Sequence, residues 1–200
     1  MVNETGQINV KKLEVNEFIQ AFNKKVDSNL NNDNGRDNYH KKGFCTNVMK
    51  EEIIGKVLIN LGFSLFNGKP KDESYRTGVD YFGFEQKSYD ISTWHYNGHH
   101  DWILTSIIEH ENDGKDWLDE YQKLLRTNCP QKILITYGQR TVNDGGIKDK
   151  GVELIVKAQQ MRKQFEIFNG CRSANINVLF GPTLKELNKA KRIEFHHYVI

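Results

Sequence analysis

Asp90, Glu109 and Glu111 are the residues whose types and spacing best fit catalytic chemistry. They lie in Ser88–Asn112, a stretch that reads as a β-hairpin, with Asn97-Gly98 a strong turn signal between two β-rich runs. Asp90 is on the way in, and Glu109 and Glu111 are on the way out. Hard divalent cations such as Mg²⁺ take oxygen ligands, so carboxylates gathered this way suit metal-assisted phosphodiester hydrolysis.

The register can be tested by counting. Side chains alternate across a strand, so Glu109 and Glu111 share a face with Ile103, Thr105 and Ile107. With a two-residue loop, Tyr96 pairs with His99 and Asp90 falls opposite Thr105. With a four-residue loop, Asn97–His100, Asp90 falls opposite Ile107. Both registers place Asp90 on the glutamate face. The four-residue loop is preferred, because it makes Asp90 a diagonal neighbour of Glu109 at roughly 7–8 Å. Two carboxylates so spaced can share one cation whose ligands lie at about 2.0–2.1 Å. Carboxylates at strand ends are commonly just solvated. Here Trp102-Ile-Leu opens the second strand and Ser106-Ile-Ile precedes Glu109, the pattern of a strand buried on both faces. Ionised carboxylates at its end then need a partner.

Asp90, then Glu109-His-Glu111 after a hydrophobic strand, resembles the metal-site signature of the PD-(D/E)XK, or restriction-endonuclease-like, nuclease superfamily. Glu109-His-Glu-Asn112, the Trp-containing helix after it and the strand Lys132–Tyr137 look like one of its prokaryotic branches. The likeness covers about residues 46–138 in order and type. Tyr89, not Pro, precedes the aspartate, and Glu111 stands where the superfamily usually has Lys.

The resemblance implies an α/β fold: a mixed central β-sheet flanked by helices, with an αβββαβ core and an extra C-terminal helix and strands. It also implies a Mg²⁺-dependent DNA endonuclease, with Mn²⁺ able to substitute. Double-stranded DNA, a restriction or defence role and a possible homodimer go with that reading. Asp90 and Glu109 would hold the metal, joined by Glu52 from the first helix, and Glu111 would position the attacking water or a second ion. Lys123, on the helix after the glutamate strand, is the substitute for the missing lysine. The plainer account of Lys123 is an i,i+4 pair with Asp119, and that of Glu52 is a favourable helix N-terminal charge. Glu85-Gln-Lys87 matches the usual E-x-K pattern but precedes Asp90, so it reads as a solvent- or DNA-facing pair. Arg76, Lys115, Arg126 and Arg140 are candidates for contact with the nucleic-acid backbone.

The chain's 200 residues suit one domain with a real core, and a net charge of +2 gives no overall polyanion signal. Cys45, Cys129 and Cys171 are odd in number and lack metal spacing, as reduced thiols in the cytoplasm would. No run approaches a membrane span and no signal-peptide pattern opens the chain, so no membrane partner is expected.

Residues 1–45 read as a polar arm ending in the Asn-rich stretch Asn29–Asn38, with a short amphipathic helix at Leu13–Phe22. Residues 46–200 form the nuclease-like domain. Its first helix runs from a Thr46 cap to about Leu61, with Met49, Ile53, Val57 and Leu61 as its apolar rail and Ile54 and Leu58 widening it. A helix at Trp117–Leu125 turns Trp117, Tyr121, Leu124 and Leu125 inward. Next come a strand at Ile133–Tyr137, a loop at Gly138–Asp149 and a helix over about Val152–Phe168. Leu154, Ile155, Ala158, Met161, Phe165 and Phe168 line that helix's inner face. A strand at Ala174–Phe180, a short helix at Leu184–Ala190 and a last strand at Ile193–Ile200 complete the order.

Two other function classes remain. One is a nucleic-acid-binding protein with the nuclease fold but no catalysis, favoured by the missing lysine. The other is a zinc-binding protein built on His95, His99, His100 and His110. His99 and His100 point oppositely in extended structure, however, and His110 alternates away from Glu109 and Glu111.

Overall fold

The computed structural model describes residues 10–32, 47–66, 75–86, 89–98, 101–111, 117–137, 140–143, 146–170, 173–182 and 192–200. Helix α1 is Val15–Leu30, and α2 is a π-helical segment, Val48–Gly55, continued by an α-helical turn, Lys56–Asn60. Strands β1 (Ser64–Leu65), β2 (Val79–Gln86), β3 (Tyr89–Tyr96) and β4 (Trp102–His110) lead to helix α3, Trp117–Arg126. Then follow β5 (Gln131–Tyr137), β6 (Arg140–Asn143), β7 (Gly146–Asp149), α4 (Lys150–Asn169), β8 (Ile176–Gly181) and β9 (His196–Val199). The expected α/β fold with its αβββαβ order is present as α2-β2-β3-β4-α3-β5.

The central sheet has the order β1-β2-β3-β4-β5-β8-β9, and β6-β7 form a separate pair. β2, β3 and β4 are antiparallel neighbours, whereas β4-β5 and β5-β8 run parallel. Parallel neighbours need a crossover, and α3 and α4 supply the two. Each face of the sheet has its own core. On one, α1 and α2 set Phe18, Phe22, Met49 and Ile53 against Ile91, Ile108, Ile133 and Ile135. On the other, Trp117, Tyr121 and Leu124 of α3 meet Ile107, Leu134, Val178 and Ile155. A strand covered on both faces must be apolar at successive positions, as Ile107-Ile108 is.

Helix α1 extends well past the anticipated Leu13–Phe22. Phe18, Phe22, Val26 and Leu30 recur every four residues and are fully buried, so the N-terminal region supplies core and is not only a polar arm. Burying four such side chains is worth roughly 6–12 kcal/mol before entropy is subtracted. The anticipated loop at Gly138–Asp149 instead contains the β6-β7 pair. Phe168, assigned inward on α4, is 89% exposed. The Asp33–Asn38 part of the Asn-rich stretch, Thr46, Cys45, Cys171 and Leu184–Ala190 lie outside the described residues. Among the described residues, no helix is long and apolar enough to cross a membrane.

Candidate active site

The hairpin that carries the acids departs from the expected loop by one residue. Tyr96 pairs with Trp102, which leaves a five-residue connection, Asn97–Asp101, closed by backbone bonds from Asn97 N–H to the Asp101 carbonyl and from Asp101 N–H to that of Gly98. Gly98 has φ +88°, a left-handed conformation that glycine adopts without penalty. An odd loop followed by regular strands would pair Asp90 with Ile108, on the wrong face. The register shifts between Thr93 and Trp94, with Thr105 as the extra residue of a β-bulge, and Ile91 then pairs with Ile108. One step further, Asp90 stands opposite Glu109. The expected shared face is therefore present, by a different route and with the acids directly opposed.

Each carboxylate is fixed at one oxygen by backbone. His110 N–H donates to Asp90 Oδ2 at 2.8 Å, and Asp90 N–H donates to Glu109 Oε2 at 3.2 Å. Each other oxygen faces an ammonium group. Lys50 Nζ of α2 lies 2.8 Å from Asp90 Oδ1, and Lys123 Nζ of α3 lies 3.0 Å from Glu109 Oε1. The lysines thus come from opposite layers and converge on one end of the sheet. Lys50 also pairs with Glu85 at 2.5 Å, and Lys123 also pairs with Glu120. Glu85 has φ +52°, an unusual backbone for a non-glycine residue, adjacent to Asp90's partner lysine.

Glu109 is only 1% exposed, and burial pushes its pKa up to about 7, with Asp90's charge adding to the rise and Lys123 opposing it. Burial pulls both lysines down. The hydrogen bonds and charges of Asp90 and Glu85 outweigh it for Lys50, and those of Glu120 and Glu109 for Lys123, so both end raised.

Asp90, Glu109 and Lys123 therefore come together, with Lys123 pairing Glu120 and Glu109 in place of the anticipated Asp119. Glu52 does not join them. It is exposed, two residues along α2 from Lys50, and among the described residues no three His, Cys, Asp or Glu side chains gather to hold a metal ion. Glu111 follows β4, half-buried, its N–H bonded to the Ile135 carbonyl at 2.9 Å. Glu85, set aside with the E-x-K decoy, reaches the site through Lys50; Lys87 lies outside the described residues. Arg126 is exposed one turn beyond Lys123, on the same side of α3. Arg76 is exposed in the turn before β2, with roughly 20 Å of strand between Val79 and Glu85. Arg140 begins β6, and Lys115 lies outside the described residues.

Lys50 is the site residue that sequence reasoning missed. Its signal is present, since Lys50, Ile53, Ile54 and Val57 share the helical i, i+3, i+4, i+7 stripe, and a lysine on an apolar rail needs an acid partner. Gly55 lets this helix approach β2, for a Cβ there would stand 3.1 Å from Phe84 Cζ and 3.3 Å from the Lys50 carbonyl.

The histidines do not form a zinc cluster among the described residues. His95 pairs with Asp80 at 2.8 Å, and His110 Nε2 meets the Tyr137 hydroxyl at 2.7 Å. His110 faces away from Glu109, and its burial drives its pKa down to about 4. His99 and His100 lie outside the described residues.

The donor set suits a Mg²⁺-sized ion. Two carboxylates, each anchored at one oxygen and presenting the other to positive charge, match its habit of taking one or two protein carboxylates and filling the remaining positions with water and phosphate. No family model, no curated protein and no solved structure matches this chain.

Proposed function

We propose that this chain is a metal-dependent deoxyribonuclease acting on double-stranded DNA, of the PD-(D/E)XK type, in a restriction or defence role. The observation that supports it is the opposition of Asp90 and Glu109 across β3-β4, with an ammonium from each helical layer beside them. Asp90 Oδ1 and Glu109 Oε1 would hold Mg²⁺ or Mn²⁺. When bound, such a cation polarises the scissile phosphate and lowers the pKa of water. Lys123 takes the part of the usual lysine and neutralises charge on the phosphate, and Lys50 adds a second positive group. Glu111, tethered by its backbone to β5, orients the attacking water. Burial around Glu109 keeps bulk water away and strengthens every charge interaction there. Arg126 contacts the DNA backbone beside Lys123.

A second reading, a nuclease-fold DNA binder without catalysis, draws on the same ion pairs, because lysine already neutralises both carboxylates. Cleavage of plasmid and linear DNA with Mg²⁺ or Mn²⁺ separates the two. Wild type should cut, and Asp90→Ala and Glu109→Ala should each lose about a thousandfold or more, since charge stabilisation by a held metal is worth several kcal/mol. A folded protein that binds DNA but cuts neither DNA nor RNA would be the binder.

A further inference from the structure

We infer that Lys50 and Lys123 are displaceable counter-cations: each occupies a carboxylate that a divalent cation would take, and each moves to phosphate oxygens when that cation enters. The inference rests on the nuclease reading and deepens it, by making divalent-cation binding and phosphodiester binding mutually reinforcing.

The geometry carries it. Each ammonium is shared between an inner and an outer carboxylate: Lys50 between Asp90 and Glu85, Lys123 between Glu109 and Glu120. The inner acids are pinned by backbone N–H groups and stay where they are. The outer ones are more open, Glu85 being 69% exposed. A lysine can therefore release its inner oxygen and keep an acidic partner, so the move does not strand a half-buried charge. The inner oxygens are freed together with two positive groups at the mouth of the site. A phosphodiester supplies the anionic oxygens that such groups accept. Cation and phosphodiester then favour the same arrangement, and by linkage each must tighten the other.

The test is Mn²⁺ binding to the full chain by calorimetry, with and without a nuclease-resistant phosphorothioate DNA duplex. Wild type should bind Mn²⁺ more tightly with the duplex present. Lys50→Met should bind Mn²⁺ alone about tenfold more tightly than wild type, since a competing charge within a few ångströms is gone. Its gain from the duplex should shrink. Lys123→Met, on a different helix, should behave alike, so a folding defect in one variant leaves the other informative. Mn²⁺ affinity unchanged or weakened in both variants, with Asp90→Ala abolishing binding, would overturn the inference and spare the nuclease reading. Absence of Mn²⁺ binding in wild type and both lysine variants would overturn both.

Discussion

The two ends of the β3-β4 hairpin are built from the same pair of strands and hold together by opposite means. At the loop end, Trp102 and Tyr96 pack at 4.5 Å between ring centroids, and Tyr75, Tyr81 and Phe66 surround Trp102 at 5.0–5.7 Å. That cluster gains from apolar burial and ring geometry, and it asks for no ligand. At the other end, Glu109 is as deeply buried as the core, and its charge is met by Lys123 and the Asp90 N–H. Where apolar residues alone would stabilise more, a buried charge pair points to a function that needs it.

Glu109→Ala and Trp102→Ala should break this contrast from either side. The first should cost about 4 kcal/mol in transition-state stabilisation, the thousandfold rate loss, in protein that remains folded. The second should cost about 3 kcal/mol of folding stability in urea titration, with the remaining folded protein still cutting DNA. Equal effects of both variants on both readouts would erase the distinction.

Titration sharpens it next, through two adjacent residues on opposite faces. Glu109 is raised from 4.5 to about 7, so between those values the folded state holds a proton that the unfolded chain has lost, and stability falls as pH rises. His110 is lowered from 6.5 to about 4, so the unfolded chain binds the proton first, and stability falls as pH drops. Each contributes up to about 3 kcal/mol, and between pH 4.5 and 6.5 they oppose each other. Unfolding free energies at several pH values should be nearly flat there for wild type. His110→Phe should show a decline with rising pH, and Glu109→Gln an increase.

The smallest effect belongs to Gly55→Ala. A methyl group there gains about 1 kcal/mol of helix propensity but presses on Phe84 and on the Lys50 carbonyl, which as backbone has little room to yield. A net loss of about 1 kcal/mol in thermal or urea unfolding is expected, and a gain would show that α2 can lift from β2 freely.

The acids are legible because strand alternation and burial are written in residue order, and any even-numbered offset between the strands keeps Asp90 and Glu109 on one face. The bulge at Thr105 is not, since no residue type there marks it and pairing across the sheet decides it. Lys50 is masked by Glu51 and Glu52, the acids beside it that first suggest metal ligands. Phe18, Phe22, Val26 and Leu30 declare a longer α1, but the polar residues between them dilute that signal. Asp144-Gly145, between β6 and β7, is a hairpin signal lost among loop-forming neighbours. Phe168 follows the apolar period of α4, yet it sits at the helix's last turn, where that period alone does not guarantee a surface to cover it.

Helix α2 holds Lys50 within a π-helical stretch, and such stretches arise when an α-helix accommodates an extra residue while its flanks stay put. Losing one residue between Lys50 and Ile53 would let the helix rewind to α geometry while its two flanks keep their facing. Lys50 would then still face Asp90. The pairing thus tolerates a single-codon deletion inside the π-helical stretch, where the helix holds one residue more than α geometry needs.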